Sequence, residues 1–307
     1  MRLLILIFVG LAVFFLLSYI YSIAPRMERR KECEEFTRWM YAHRGLWSKE
    51  KGIPENSLPA FARAVTSGYA IELDVQLTRD NRLVVFHDDT LTRMCGKEGR
   101  ICSYTLAELK QLRLQDTEFT IPEFREVLET VGGKVPLLIE IKLPTHNTKT
   151  CMILNRELRN YHGKYCIESF NSLALRWYKR HRPGILRGQL SDRFRKSDGV
   201  NLILRFLAAR LMLNWVGRPD FIAYNYRYAN KLGLKLQRML FRAPLFAWTV
   251  QNQPDCRQCS SKFDTVIFDG FLPEQEYKKG LRKRGRSGGI AADFRHFAGL
   301  SRMQTDS

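Results

Sequence analysis

The sequence lacks several features that would assign it to a class of protein at once. It has no internal repeat, and its seven cysteines are an odd, scattered set that is not typical of a disulfide framework. The CxxC motif formed by Cys256 and Cys259 has no second pair with which to complete a four-ligand zinc site. We therefore predict reduced thiols, with neither a metal nor a redox role for this motif.

The chain is also poor in acidic residues. Against 50 Lys and Arg it has only 31 Asp and Glu, which gives a formal net charge of +19. Such a surplus favours a polyanionic partner, either a nucleic acid or a membrane surface. The basic residues are dispersed and no nucleic-acid-binding module is present, so we expect no nucleic-acid partner. We expect an anionic membrane surface instead, which attracts each nearby basic residue by about 1 kcal/mol.

One long apolar segment is present at the N-terminus. Residues 3–23 carry no charge, and at a rise of about 1.5 Å per residue they would span about 31 Å, enough to cross a bilayer core. A cleaved signal peptide is the alternative, because Ser22-Ile23-Ala24 resembles a small-residue cleavage site. The run is longer than a signal core and Pro25 would directly follow the cut, so we favour a retained transmembrane anchor over residues 1–24.

A basic juxtamembrane linker is predicted over residues 25–38. Its Lys and Arg residues outnumber the single Arg2 on the other side of the apolar run. By the positive-inside rule, the N-terminus lies outside and the large domain lies in the cytoplasm. The predicted location is the cell membrane, with one crossing.

Residues 39–284 have the size and pattern of an α/β protein of the (β/α)8 TIM-barrel class, and residues 285–307 form a flexible basic tail. Short apolar runs that alternate with helical patterns predict parallel strands buried on both faces. The predicted strands are 39–43, 70–75, 136–142, 165–170, 185–190, 220–224, 245–250 and 264–268. The predicted helices are 56–67, 105–113, 122–131, 147–161, 172–181, 202–215, 228–240 and 273–283.

The segment 83–87 is predicted as an extra strand that folds back on the second barrel strand as a β-hairpin. Asp80-Asn81 suits a two-residue turn, because both residue types tolerate a positive φ. That turn pairs Asp74 with His87 and places both on the same face as Glu72. An ordinary hairpin with its charges on the solvent side remains the alternative.

The residues near the ends of the first predicted strands have the chemistry for metal-assisted cleavage of a phosphodiester. His43 and His87 can exchange protons near neutral pH. Glu72 and Asp74, spaced i, i+2, can hold a hard cation, and Arg44 can bind a phosphate through two parallel hydrogen bonds.

A series of motifs extends this pattern along the chain. They are His-Arg-Gly at 43–45, Pro-Glu-Asn-Ser at 54–57, Glu-Leu-Asp-Val at 72–75, His-Asp at 87–88, Ile-Glu-Ile-Lys at 139–142, Ser-Phe at 169–170 and Trp-Thr-Val at 248–250. In this order they resemble the glycerophosphodiester phosphodiesterase family of the phospholipase C-like superfamily, in a membrane-anchored bacterial type. The resemblance covers roughly residues 40–280. It departs at Phe268-Asp269-Gly270-Phe271, where the usual Pro-containing turn is absent, and at 191–218, which match nothing.

The resemblance implies a metal site and an acid–base pair. Glu72, Asp74 and Glu140 are the implied ligands, and three carboxylates favour Mg²⁺ or Ca²⁺ over zinc. His43 is assigned as the general base and His87 as the general acid, an order that the sequence leaves open. The alternative for Glu140 is a structural ion pair with Lys142.

The resemblance also implies how the substrate is held. Arg44 and Lys142 would neutralise the phosphate, and Phe170 and Trp248 would wall the glycerol pocket, although core packing explains both aromatics equally well. The implied reaction releases glycerol 3-phosphate and an alcohol from a glycerophosphodiester. The alternatives are a lysophospholipase D-type activity on lysophospholipids and a catalytically silent scaffold that binds lipid head groups.

The apolar segment 202–215 is too short to span a bilayer. It follows the fifth predicted strand, on the face where the loops shape the substrate mouth. Our hypothesis is that it dips into the bilayer interface and presents lipid-like substrates to the cleft. A buried barrel helix is the alternative.

Overall fold

Parallel strands close into a barrel in the computed structural model, which describes residues 1–143, 147–194 and 201–274. The strand β1 pairs in parallel with both β2 and β9, and this double pairing closes the sheet. The (β/α)8 barrel predicted from the sequence is therefore confirmed. The barrel strands are β1 (Tyr41–His43), β2 (Ala70–Leu77), β4 (Leu137–Ile141), β5 (Tyr165–Ser169), β6 (Arg187–Ser191), β7 (Phe221–Asn225), β8 (Leu245–Val250) and β9 (Thr265–Phe268).

Helices cover the outside of the barrel and precede it. Within the described residues they are α1 (Arg2–Ile23), α2 (Arg30–Thr37), α3 (Leu58–Thr66), α4 (Thr92–Cys95), α5 (Leu106–Leu109), α6 (Phe124–Val131), α7 (Lys149–Glu157), α8 (Ser172–His181), α9 (Leu202–Ala209), α10 (Asn214–Gly217), α11 (Leu232–Met239) and α12 (Gln253–Cys259). The helix α1 is long and apolar enough to cross a membrane, and its most apolar part makes no buried contact with the rest of the protein.

The strand β2 shows how the sequence places polar groups inside the barrel. Its side chains alternate between the two faces of the sheet. Ile71, Leu73 and Val75 point outward and join the hydrophobic core between the strands and the helices. Glu72 and Asp74 therefore point into the barrel, where both are almost completely buried.

Most predicted helices are present, with shorter bounds. The helix α8 has the predicted bounds and begins at Asn171, whose side chain accepts a hydrogen bond from the Leu173 amide. The predicted helix 105–113 is only the single turn α5, while α2 lies in the predicted linker and α12 was not predicted. The predicted helix 273–283 and the tail 285–307 lie almost entirely outside the described residues.

The prediction of a single helix over residues 202–215 was wrong in one respect, because the structure has two shorter helices there. Leu211 has a φ of 62°, in the left-handed region that an α-helix excludes, and it separates α9 from α10. The Leu211 side chain is buried in the core, and this burial stabilises the break.

The extra strand β3 (Leu83–Val85) pairs antiparallel with β2, but the predicted register was wrong by one residue. Val85 lies opposite Val75, and the loop has three residues rather than two, because Thr78 pairs with Arg82. Asn81 takes the left-handed conformation, with a φ of 60°, that closes such a loop. His87 does not pair with Asp74, since the strand ends at Val85 and the chain then turns.

We predict that Gly188→Ala destabilises the barrel. A Cβ atom at this position would lie 2.1 Å from the ring of Phe221, which is itself buried and stacked on Phe246. Overpacking of this kind lowers the free energy of unfolding by about 1–3 kcal/mol. Each kcal/mol lowers the Tm by about 2–4 °C. Gly184→Ala is the matched control, because nothing lies within 4 Å of its added methyl group. An unchanged Tm for Gly188→Ala would contradict this account of the packing.

Candidate active site

The predicted site residues converge at the carboxyl ends of the barrel strands. His43 is the last residue of β1 and lies opposite Glu72 of β2. Asp74 lies opposite Glu140 of β4. Because all these strands are parallel, their carboxyl ends meet at one end of the barrel, where TIM barrels carry out chemistry.

An acidic triad lies at the centre of this end. Glu72, Asp74 and Glu140 each offer a carboxylate oxygen, and these oxygens lie within 4.8 Å of one another. All three residues are buried, with exposed fractions of 2%, 0% and 7%. A compact set of oxygen donors of this kind suits a hard divalent cation.

Two cationic side chains contact the triad. The Lys142 Nζ atom lies 3.0 Å from Asp74 Oδ1 and 2.7 Å from Glu140 Oε1. The Arg44 Nε atom lies 3.6 Å from Asp74 Oδ2. The ion pair that was the alternative explanation of Glu140 is therefore present, and the triad is present as well.

Two carboxyl groups of the triad resist ionisation, and the third ionises more readily than usual. Burial raises the pKa of Glu72 well above its ordinary value, and repulsion by Asp74 adds to this effect. Burial also raises the pKa of Glu140, although Lys142 opposes the shift. The pKa of Asp74 is held well below its ordinary value despite burial, because Lys142 and other nearby cationic groups together outweigh the loss of hydration.

His43 is oriented by a carboxylate that the sequence analysis did not identify as a site residue. Its Nδ1 atom lies 3.3 Å from Asp269 Oδ2, and its Nε2 atom lies 3.9 Å from Glu72 Oε2. Burial lowers the pKa of His43, and the hydrogen bond to Asp269 only partly opposes this shift. The imidazole is therefore set up to be neutral, with the Nδ1 proton donated to Asp269 and the Nε2 lone pair directed to the cleft.

His87 is oriented in a similar way by its neighbour. Its Nδ1 atom lies 2.6 Å from Asp88 Oδ1, and Arg93 also binds the Asp88 carboxylate. The loop that carries His87 is held by Gln76 of β2, whose Nε2 atom donates to the carbonyl oxygens of Phe86, His87 and Asp88 at 2.8–3.1 Å. His87 interacts electrostatically with Asp74 and Glu140.

The loop between β1 and α3 holds Arg44 in place. Arg44 Nη1 donates to Glu55 Oε1 at 2.7 Å, and Arg93 binds the same carboxylate. Asn56 Nδ2 donates to Asp74 Oδ2 at 2.9 Å, and the backbone amide of Asn56 donates to the carbonyl oxygen of Arg44. These contacts join the phosphate-binding candidate to the acidic triad.

Glu168 is a further acidic residue in the barrel that the sequence analysis missed. It lies opposite Glu140 in the register of β4 and β5, is 1% exposed, and its Oε2 atom has no hydrogen-bond partner among the described residues. Burial, together with repulsion by Glu140, raises its pKa well above the ordinary value. The period-two alternation of the strand, which places Glu168 beside Glu140, was the available signal.

Phe170 and Trp248 form an aromatic wall beside the site. Their ring centroids lie 5.5 Å apart in an edge-to-face arrangement, and Phe194 packs on Phe170 in the same way at 5.9 Å. Phe170 and Trp248 are only partly buried and pack on the apolar cluster inside the barrel. This packing agrees with the core role that was left open for them, and a role as the wall of the glycerol pocket stays a prediction.

The chain is similar in sequence to known proteins over most of its length. Residues 43–285 match the model of the glycerophosphoryl diester phosphodiesterase family. A glycerophosphodiester phosphodiesterase of Caldanaerobacter subterraneus subsp. tengcongensis is 38% identical over 245 residues, which cover 74% of this chain and 92% of that relative. One from Bacillus subtilis is 30% identical over 255 residues, which cover 75% and 82% of the two chains.

Solved structures show the same fold. A phosphodiesterase of Oleispira antarctica, determined in complex with the product sn-glycerol-3-phosphate, superposes with a TM-score of 0.62 at 22% identity and covers 82% of this chain and 98% of its own. A glycerophosphodiester phosphodiesterase of Thermotoga maritima superposes with a TM-score of 0.58 at 26% identity and covers 80% and 97%.

We predict that Glu72→Gln raises the Tm of the metal-free protein at pH 7. The raised pKa of Glu72 means that its ionised form opposes folding at this pH, and the amide removes that charge. The Gln oxygen can still accept the hydrogen bond that the Arg44 amide donates to Glu72. The expected gain is about 2–4 °C for each kcal/mol of relieved repulsion, measured by thermal unfolding in EDTA. Glu118→Gln, at an exposed position, is the control, and a lower Tm for Glu72→Gln would contradict the prediction.

Proposed function

Because the chain belongs to the glycerophosphoryl diester phosphodiesterase family and is therefore a phosphoric diester hydrolase, we propose that it releases glycerol 3-phosphate from glycerophosphodiesters by metal-assisted acid–base catalysis. The observation that carries this proposal is the arrangement of the site. A buried triad of carboxylates lies between two histidines, and each histidine has its Nδ1 atom held by a carboxylate.

Glu72, Asp74 and Glu140 are the proposed ligands of a divalent cation, either Mg²⁺ or Ca²⁺. Their oxygen donors fit such an ion. Burial and the neighbouring carboxylates raise the pKa values of Glu72 and Glu140, and a bound cation would offset this cost of ionising them. When bound, the cation would make the attacking hydroxyl more acidic and stabilise the charge that develops on the phosphate.

His43 is the proposed general base. With its Nδ1 proton donated to Asp269, its Nε2 atom can accept the proton of the glycerol 2-hydroxyl, whose oxygen then attacks phosphorus. The lowered pKa of His43 keeps the imidazole neutral, as a base must be at neutral pH. Asp269 is thus a positioning residue that selects the tautomer of His43.

His87 is the proposed general acid. For this role His87 must be the imidazolium: its Nδ1 proton is donated to Asp88, and its Nε2 proton is given to the departing alcohol oxygen. The resulting cyclic phosphate would then be opened by water with the two histidines in exchanged roles.

Arg44 and Lys142 are the proposed phosphate-binding residues. Although burial opposes its charge, the carboxylates of Asp74 and Glu140 raise the pKa of Lys142, so it stays cationic. The guanidinium of Arg44 is fixed by Glu55 and can offer parallel hydrogen bonds to phosphate oxygens. Phe170 and Trp248 are proposed to bound the glycerol end of the substrate.

We also propose that α1 anchors the enzyme in the cell membrane, with residues 25–38 as the juxtamembrane segment and the barrel in the cytoplasm. A lysophospholipase D-type activity is the second candidate function. It is favoured by the exposed apolar side chains of α9, which include Leu202, Ile203 and Phe206.

The test is phosphodiester cleavage by the full chain in detergent micelles, measured as release of glycerol 3-phosphate from the glycerophosphodiesters and of a lysophosphatidic acid from the lysophospholipid. The substrates are glycerophosphocholine, glycerophosphoethanolamine and a micellar lysophospholipid, each with Mg²⁺, with Ca²⁺ and with EDTA. We expect metal-dependent hydrolysis that falls by about 10²–10⁴-fold in His43→Ala, since this is the usual contribution of a general base. His162→Ala, at an exposed position, is the matched control.

Metal binding can be measured separately from activity, by thermal unfolding. The effective cation should raise the Tm of the wild type, because a ligand of the folded state stabilises it by mass action, and Glu140→Gln should remove most of this rise. Hydrolysis that persists in EDTA and in His43→Ala would sink the proposed mechanism. Release from the lysophospholipid alone would select the second candidate function.

We further predict that Gln76→Ala lowers kcat without removing the Tm rise caused by the metal. Gln76 is the only side chain among the hydrogen bonds described that donates to the carbonyl oxygens of Phe86, His87 and Asp88 together, so its loss frees the loop that carries the proposed acid. A misplacement of about 1 Å can cost about 10²-fold in rate. Gln111→Ala, at an exposed position, should have no effect, and equal kcat values for the two variants would contradict the proposed role of the loop.

A further inference from the structure

The last turn of α1 is docked on the barrel. Ile23 is completely buried, and its carbonyl oxygen accepts hydrogen bonds from Asn214 Nδ2 at 2.8 Å and Gln237 Nε2 at 2.7 Å. Both of these residues are 0% exposed. Arg218 Nη1 donates to the carbonyl oxygens of Tyr21 and Ala24 at 2.9 Å and 2.8 Å. The protein thus satisfies carbonyl groups that a helix end leaves free, which fixes the direction of α1.

This direction leads toward the catalytic end of the barrel. The helices of a (β/α)8 barrel run back from that end, so Gly233 in the first turn of α11 lies nearer to it than Gln237. Ile23 is bonded to Gln237. Three residues after Ile23, the backbone amide of Arg26 donates to the carbonyl oxygen of Pro219 at 2.8 Å, and Pro219 precedes β7, at the opposite end of the barrel. Followed back from Arg26 to Ile23 and along α1, the chain therefore advances toward the catalytic end.

The helix α9 lies at the rim of this same end. The carbonyl oxygen of Ala208 accepts from Ser191 Oγ at the end of β6, and that of Ala209 accepts from the Tyr224 hydroxyl in β7. No residue of α9 is buried. Leu202 and Ile203 are each 73% exposed, and its other exposed apolar side chains are Leu204 and Phe206.

No polar stalk separates the apolar part of α1 from the barrel. Tyr19 and Ile20 already contact the protein, so the part of α1 that is free of the barrel ends at Ser18. Residues 3–23 carry no charge, so the apolar run continues directly into the docked turn. The boundary of the bilayer is therefore expected where α1 meets the barrel, beside α10 and the preceding α9.

We propose that α1 and α9 together hold the catalytic end of the barrel against the bilayer, with the apolar side chains of α9 in the interface. Arg205 and Arg210 of this segment lie among those side chains and suit anionic head groups. The bilayer is the occupant of this apolar surface because the surface is continuous with the end of the proposed membrane-spanning helix. The substrate cleft then opens toward the lipid, which favours substrates that carry an acyl chain. The proposal rests on the membrane insertion of α1 and not on the roles of the histidines.

Fluorescent labelling of the full chain in vesicles tests the proposal. The vesicles are a three-to-one mixture of phosphatidylcholine and phosphatidylglycerol. Cys95 and Cys102 are replaced by Ser, and the other five cysteines are buried and inert to labelling. Single cysteines are then introduced for an environment-sensitive dye at four positions, two on α9 and two controls. They are Ile203→Cys and Phe206→Cys, with Lys134→Cys before β4 and Lys164→Cys before β5 as exposed controls at the opposite end of the barrel.

We expect dyes at 203 and 206 to show blue-shifted emission and strong quenching by spin-labelled lipids, and dyes at 134 and 164 to show neither. Arg218→Ala in the Phe206→Cys protein should reduce this quenching, because α1 is then held less firmly. Dyes at 203 and 206 that behave like the controls would overturn the proposal. Quenching at 164 would overturn it as well, since the opposite end would then face the lipid.

The failure of this proposal can be told apart from the failure of the proposed function. Hydrolysis of glycerophosphocholine by each labelled protein reports on the active site alone. Extraction of the chain by alkaline carbonate reports on the insertion of α1, and a chain that is fully extracted would overturn the proposal through its premise. Hydrolysis that persists in such a chain would leave the phosphodiesterase assignment intact.

Discussion

Mutual repulsion among buried carboxylates is the constraint on which the catalytic end of this barrel depends. Glu72, Asp74 and Glu140 share a space a few ångströms across, and Glu168 adds a fourth buried acid beside Glu140. Burial, together with repulsion among the carboxylates, keeps the pKa values of Glu72 and Glu140 raised, although Lys142 and Arg44 offset part of the charge. Such a cluster offers the oxygen ligands that suit a divalent cation, and its burial lowers the stability of the metal-free protein.

The same cleft uses carboxylates in a second way, as partners of the histidines. Asp269 binds His43 from the end of β9, and Asp88 binds His87 from the adjacent position in the chain. In both cases the Nδ1 atom is held and the Nε2 atom is left for chemistry. The two rings differ in their surroundings, because His43 is the more buried of the two, and this difference supports its proposed role as the neutral base.

The N-terminal helix is part of the architecture rather than a separate tether. Buried amides of Asn214 and Gln237 bind its terminal carbonyl group, and these residues belong to the α10 and α11 helices of the barrel. A buried amide that lost this partner would be left unsatisfied, which costs about 1–3 kcal/mol. The docking of α1 therefore fixes the orientation of its last turn relative to the cleft.

Much of this site could be predicted from the sequence because its chemistry lies in short motifs at strand ends. The alternation of β2 alone placed Glu72 and Asp74 on one face, and the parallel topology brought Glu140 to them. What tertiary structure decided depends on contacts between distant segments. Asp269 is 226 residues from His43, and nothing local marks them as partners. The turn between β2 and β3 could hold two residues or three. The hydrogen bond from the Thr78 amide to the Arg82 carbonyl oxygen selects the three-residue loop and so sets the register of the hairpin.

The segment 202–215 also combines features that could be predicted from its sequence with one that could not. Its apolar character and short length were evident from composition, which predicted a helix that cannot span a bilayer. Its break at Leu211 was not evident, because Leu favours helices and the break arises where Ser191 and Tyr224 bind the carbonyl oxygens of Ala208 and Ala209. The barrel, the strand-end motifs and the apolar segments could be read from the residues alone, since these features follow from local periodicity and composition. Only the folded chain decided which groups face each other across the cleft, because that depends on hydrogen bonds between residues far apart in sequence.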